Sequence, residues 1–327
     1  MKIKRLFPAF CLSLILVFTW SAQAFAVDVI QTETEAIQTL DEAELDSALQ
    51  DQQEAEDIPL PENQQDSETA ETEQTQELTV AGSDILVNGS SIKSDTPSFA
   101  YQQTTYISLR GLVEALYPSA SVSWTGEGVL VQAEGLTLTA NPGNIYLEAN
   151  GRYLYIPDGI VLDRGVTMVP LRTLAKALGA AVSWDSTTGN INITSGSGPI
   201  ESGDSGYKSD AVYWLSRIIN AESGSQPLIG QVAVGTVILN RVESPLFPNT
   251  IYDVIFDCRS GVYQFSPVRS GAIHKDPNNS SIIAAKLCLD GAREAGNSLF
   301  FNAVGQSCWA SRNRSLVTVI GNHSFFE

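Results

Sequence analysis

The chain has 327 residues, with 19 Lys and Arg against 37 Asp and Glu and a formal net charge of −18. That length suits about two domains of roughly 150 residues each. The charge is uneven: residues 27–80 hold 17 acids and no Lys or Arg, whereas residues 81–327 carry only −4. A nearly neutral folded part argues against a basic nucleic-acid-binding face. Two His in the whole chain, His274 and His323, exclude a His-rich metal centre.

Lys2, Lys4 and Arg5 precede an apolar run from Phe7 to Trp20. Ser21-Ala-Gln-Ala-Phe-Ala26 follows and offers A-x-A cleavage sites after Ala24 or Ala26. The pattern predicts a secretory signal peptide over 1–26. The apolar run is shorter than the ~20 residues that span a bilayer comfortably. The mature chain is therefore expected outside the cytoplasm, with no stable membrane span. Beyond the signal lie Cys258, Cys288 and Cys308, so at most one pair can form. No C-x-x-C occurs, which removes a zinc ribbon or a thioredoxin-like site.

Residues 27–80 lack Phe, Trp and Tyr and are rich in Glu, Gln, Thr, Asp and Ser. Such a segment buries too little apolar surface to offset its ordering entropy, and it is expected to be an acidic disordered linker.

Residues 81–195 contain an internal repeat. Asn88-Gly89 recurs as Asn150-Gly151, and Leu109-Arg110-x-Leu112-x-x-Ala115-Leu116 recurs as Leu171-Arg172-x-Leu174-x-x-Ala177-Leu178. A fixed offset over so many positions indicates duplication. Each unit reads as an Asn-Gly hairpin turn, then a short helix with one apolar stripe, then a strand carrying Ser-Trp. Met168-Val-Pro-Leu-Arg-x-Leu-Ala-x-x-Leu-Gly179 and Val182-Ser-Trp-Asp185 resemble the copper amine oxidase N-terminal-like domain of exported bacterial proteins. The segment holds no His or Cys, so no copper is expected. It reads as a small α+β stalk or wall-contact module. Residues 196–206, rich in Gly and Ser, read as a linker.

Residues 207–327 hold both His and all three mature Cys. A helix is predicted from Ser209 or Asp210 as cap to Gly224, and a second, apolar nearly all round, from Pro227 to Arg241. Glu222 falls in the last turn of the first helix. The negative end of the helix dipole and its apolar neighbours both favour the protonated carboxyl. A protonated Glu is what glycosidic cleavage requires of its general acid. Asp276-Pro-Asn-Asn-Ser-Ser281 is expected to form a turn and cap a helix over Ile282 to Ala295.

Ile218-Ile-Asn-Ala-Glu222-Ser-Gly, Gly230-Gln-Val-Ala-Val234, Tyr263-Gln-Phe-Ser-Pro267, Leu299-Phe-Phe301 and Ile320-Gly-Asn-His-Ser-Phe-Phe326 together resemble the spore cortex-lytic, SleB/CwlJ-type cell wall hydrolases. The resemblance implies a mainly helical, lysozyme/transglycosylase-like α+β domain that cleaves the glycan strands of peptidoglycan. It implies that Glu222 is the catalytic acid. Gln264, Ser266, Asn302 and His323 are polar residues set in apolar motifs and are candidates for sugar hydrogen bonds, with Phe265 and Phe301 as candidate ring faces. No cofactor, metal or nucleic acid is expected. A single carboxylate points to a lytic transglycosylase acting after N-acetylmuramic acid. A hydrolytic muramidase or glucosaminidase, a Cys/His peptidase and a non-catalytic wall-binding protein are the alternatives.

Overall fold

A computed structural model describes residues 79–80, 84–92 and 98–327. The signal peptide and the acidic segment up to Leu78 lie outside the described residues. Thr79–Val80 pair antiparallel with Phe99 and Ala100. The expectation of an unstructured backbone at Thr79 and Val80 is corrected, because both residues find a partner strand.

Two strand–helix units organise the N-terminal module. Strand β1 (Thr104–Ser108) runs into helix α1 (Leu109–Leu116). Strand β2 (Arg152–Tyr155) lies between the units. Strand β3 (Val166–Pro170) then runs into α2 (Leu171–Ala177), and β4 (Ala181–Trp184) follows. β1 and β3 pair antiparallel, with Ser108 opposite Met168 and Tyr106 opposite Pro170. The Ser108 hydroxyl accepts from Gly111 N and caps α1. Leu109, Leu112, Leu171, Leu174 and Leu178 are buried in one core with Val131, Leu138, Leu147 and Leu154. Burying each such side chain contributes about 1.5–3 kcal/mol, which is why the leucine stripes dictate how both helices dock. Asn88-Gly89 and Asn150-Gly151 have φ of 50° and 82°, and of 52° and 74°. Paired positive φ values give the hairpin twist that the Asn-Gly dipeptides predict.

Residues 196–206 lie along this module. Ile200 N donates to Ala177 O at 3.1 Å, and Gly203 N to Asn150 O at 2.8 Å. Asn150 Nδ2 donates to Ile200 O at 2.9 Å. Ser202 caps a helical turn at Gly203–Gly206. Composition alone reads this stretch as a loose tether; backbone hydrogen bonds to the module hold it in place.

The last domain packs α3 (Ser209–Ser223), α4 (Leu228–Glu243) and, after the short helices α5 (Ile251–Ile255) and α6 (Ser266–Ser270), α7 (Asn279–Leu289) against one another. Strands β5 (Phe300–Ala303), β6 (Leu316–Ile320) and β7 (His323–Phe326) form an antiparallel sheet with β7 central. α4 is buried from Gly230 to Leu239, as a helix apolar on every side must be. Two local expectations are corrected. The N-cap of α3 is Lys208, with no side-chain cap from Ser209 or Asp210. α7 begins at Asn279 and stops at Leu289, short of Ala295, because Gly291 takes φ 107°. Asn278 does supply its cap, accepting from Ser281 N at 2.7 Å.

The two folded regions meet at β2 and α7. Arg152 Nε donates to Asp290 Oδ2 at 3.0 Å, and its Nη2 bonds Oδ1. Tyr207 OH donates to the same carboxylate, and Tyr155 OH donates to Glu294. Burial and these carboxylates push both phenols well above the usual tyrosine range. The Lys286 ammonium lies 5.1 Å from the Tyr153 ring centroid and 5.5 Å from that of Tyr207. Among the described residues, no helix is long and apolar enough to cross a membrane.

Candidate active site

Glu222 occupies the last turn of α3, half-buried, with its Oε1 atom buried. A polar network fixes this end of the helix. Asn278 N donates to Asn220 Oδ1 at 3.0 Å, and Asn278 Nδ2 donates to Gly224 O at 3.0 Å. Ser281 Oγ donates to Gln231 Oε1 at 2.8 Å, and Gln231 Nε2 donates to Gln226 O at 2.8 Å. Asn322 N, in the β6–β7 turn, donates to Gln226 Oε1 at 3.1 Å. The chain end carrying Glu222 is thus tied to α4, to the start of α7 and to the sheet. A helix terminus is ordinarily where a chain frays; here side-chain hydrogen bonds from Asn278 oppose that. Sequence reading gave Asn278 and Ser281 only as part of a turn and cap, and assigned Asn220, Gln226 and Gln231 no place beside Glu222. Gln231, a polar residue inside an otherwise apolar run, was the available signal.

The other candidate residues divide. Phe265 and Phe301 are core, 0% and 1% exposed. Phe265 lies under the fully buried Arg241 guanidinium, 5.0 Å from ring centroid to Cζ, and Arg241 Nε donates to Leu299 O at 2.7 Å. Phe301 meets the His323 ring edge-on and lies tilted against Phe325. Neither phenylalanine offers a face to a sugar, which corrects that expectation; both complete the core around the sheet and Arg241. Gln264 and Asn302 are buried, and Ser266 and His323 half-buried. Gln264 Oε1, Asn302 Oδ1 and His323 Nδ1 are buried without a hydrogen-bond partner among the described residues. Burial holds the His323 imidazole below the usual histidine range.

Sheet register separates Asn302 from His323. Asn302 pairs with Ser324, and Ala303 with His323. Side chains alternate along a strand, so Asn302 shares a face with Phe300, whereas His323 shares one with Phe301 and Phe325. The two cannot line one sheet face together.

Most other acids in this domain have structural partners. Asp290 and Glu294 hold the N-terminal module. Asp257 pairs with Arg259, Asp276 with Arg217 and Glu243 with Arg293. Asp253 and Thr250 cap α5, and Glu327 accepts from Asn297. Asp210 starts the helix that Glu222 ends, about 18 Å away at 1.5 Å per residue. The three described cysteines are free. Cys288 is buried, and burial pushes its thiol up to about 12, which leaves it unreactive. Among the described residues, no group of three or more His, Cys, Asp or Glu could hold a metal ion. Two cavities, of about 420 Å3 and 650 Å3, lie in the N-terminal module and its linker, away from Glu222.

Residues 225–326 match the family model described as Cell Wall Hydrolase. This is a cell wall hydrolase domain. The matched residues begin three positions after Glu222. Residues 86–193 match the Copper amine oxidase N-terminal domain. The spore cortex-lytic enzyme of Bacillus cereus is 35% identical over 124 residues, covering 37% of this chain and 45% of that protein. The spore cortex-lytic enzyme of Oceanobacillus iheyensis is 32% identical over 142 residues, covering 42% and 49%. The matched stretch thus spans less than half the length of either relative. The crystal structure of the catalytic domain of the Bacillus cereus SleB protein is 34% identical, covers 37% of this chain and 92% of that one, and superposes with a TM-score of 0.34.

Proposed function

We propose that this chain is an exported enzyme that cleaves the glycan strands of peptidoglycan, with Glu222 as its single catalytic carboxylate. The observation that carries the reading is Glu222 itself: a half-buried acid on a helix end held by a hydrogen-bond network, beside a cell wall hydrolase match. The relatives named spore cortex-lytic enzymes support a wall substrate. The basic, apolar and A-x-A segments at the N-terminus support secretion, cleavage near Ala26 and action at the wall. The 62-residue offset supports a duplicated stalk, and the packed α3, α4 and α7 with a small sheet support a lysozyme/transglycosylase-like catalytic domain.

The engaged acids support a lytic transglycosylase. Two-carboxylate glycosidases keep the second group ~5–9 Å from the acid. The other carboxylates of this domain are committed to caps, ion pairs and the domain contact, or lie at the far end of α3. A lone acid suffices if the substrate supplies its own nucleophile. Glu222 gives its proton to the glycosidic oxygen after N-acetylmuramic acid as the bond to C1 breaks. The resulting carboxylate takes the proton from the C6 hydroxyl as that oxygen bonds C1. The acid is regenerated, and the product is an anhydro-muramic end, one water lighter than a hydrolysed end. Gln264, Ser266, Asn302 and His323 remain the candidate sugar-binding residues, with Asn302 and His323 serving different sides of the sheet.

Glu222→Gln keeps the shape but cannot donate or accept that proton. It should lose nearly all turnover on purified sacculi while still binding them. Mass spectrometry of the products from the parent enzyme should find anhydro-muramic ends. Reducing muramic ends would instead establish hydrolysis, and full activity in Glu222→Gln would refute the site.

A further inference from the structure

The 420 Å3 cavity of the N-terminal module has no part in the chemistry above. It lies within the ~300–1,000 Å3 of small-ligand sites. Its floor is apolar: Pro157, Val182 and Ile191 keep accessible surface there, over the fully buried Ile156 and Tyr106, whose hydroxyl donates to Gly159 O at 2.9 Å. Its rim carries Trp184, 63% exposed, at the end of β4. The rim also carries Arg172, Asp158, Thr105 and Ser183. Arg172 and Asp158 are exposed and stand in no ion pair among the described residues.

We infer that this cavity is a second glycan-binding site, which seats a sugar ring of the wall against Trp184. A pyranose has an apolar C–H face and a rim of hydroxyls that both donate and accept. An exposed indole beside an apolar floor matches the face. Arg172 as donor, Asp158 as acceptor and the two hydroxyls match the rim. An apolar peptide side chain would fill the floor but leave these polar groups without partners. Trp124 offers an internal comparison. It ends its own strand in the same Ser-Trp dipeptide and is 53% exposed, yet lines neither described cavity. Exposure of a tryptophan alone therefore does not make the site; the cavity and its polar rim do. Because β2 is docked on α7, a strand held here stays at a constant offset from the catalytic domain. The inference rests on the wall reading for the source of the glycan and for the choice of probe.

The test uses the full mature chain carrying Glu222→Gln, so that bound wall is not consumed. Cosedimentation with purified sacculi measures binding, and soluble N-acetylglucosamine oligomers serve as competitor. Trp184→Ala should weaken binding by about tenfold or more, and Trp124→Ala by no more than about twofold. Arg172→Ala and Asp158→Ala should fall between. Thermal unfolding should match the parent for each variant, since all four side chains are exposed. Oligomer addition should shift tryptophan fluorescence in the parent and not in Trp184→Ala. Parent-like binding by Trp184→Ala, equal loss in Trp124→Ala, or no competition by the oligomers would overturn the inference. Failure of the wall-cleaving reading shows separately, as no product release from sacculi by the unsubstituted enzyme.

Discussion

Asp290→Ala probes the contact between the N-terminal module and the catalytic domain. The Asp290 side chain is 2% exposed and that of Arg152 18%. The carboxylate accepts from both Arg152 and Tyr207. Removing one partner of a buried pair costs about 3–5 kcal/mol, because the other charge is left desolvated and unmatched. Residual access of water to Arg152 places the loss near the lower end, about 3 kcal/mol, with about 1 kcal/mol more for the orphaned Tyr207 hydroxyl. At about 2–4 °C per kcal/mol, the melting temperature should fall by roughly 8–16 °C if the described body unfolds as one unit. If the loss only undocks the two regions, calorimetry should instead resolve two transitions where the parent shows one. A double-mutant cycle with Arg152→Ala should show the double variant losing less than the sum of the singles. A single sharp transition within about 0.5 kcal/mol of the parent would refute the view that this pair couples the domains. By the same reasoning, a fragment of residues 207–327 keeps Tyr207 but loses Arg152, so it should fold and melt below the full chain.

Three further predictions follow from burial and backbone. Burial holds His323 below the usual histidine range, so on acidification the unfolded chain takes up a proton that the folded imidazole refuses. Stability from this residue is full above about pH 6.5 and declines below it until the folded group also protonates; denaturant titrations at pH 7.5 and 5.5 should show the decline, and His323→Asn should flatten it. Alkylation of the native protein should label the exposed Cys258 and spare the buried Cys288 and Cys308, whereas equal labelling of all three would show that the domain opens readily. Gly179 has φ 65°, and a Cβ there would run into Gly198 O of the linker. Gly179→Ala should therefore destabilise the module by more than about 2 kcal/mol, measured by chemical denaturation, and unchanged stability would mean that the linker does not rest there.

Local chemistry determined much of this protein. Asn-Gly pairs force positive φ, leucines at helical spacing select a buried stripe, and a run that is apolar nearly all round makes α4 the central helix. Each depends on residues within one or two turns of each other, so each was legible without a partner. Glu222 at the end of α3 was legible for the same reason. The tertiary structure decided what depends on distant pairing. Phe265 and Phe301 look like sugar platforms until Arg241 and Phe325 are packed over them. Asn302 and His323 are equivalent candidates for sugar hydrogen bonds until the β5–β7 register turns them to opposite faces. Asn220, Gln231 and Ser281 are ordinary polar residues until helix packing brings them together around the end of α3. The Gly/Ser segment reads as a free tether until its backbone bonds Ala177 and Asn150. Arg152 and Asp290, 138 positions apart, carry no mutual signal in periodicity or spacing. Only the docking of β2 on α7 removes water from both, and that desolvation is what turns two ordinary charges into a contact between domains.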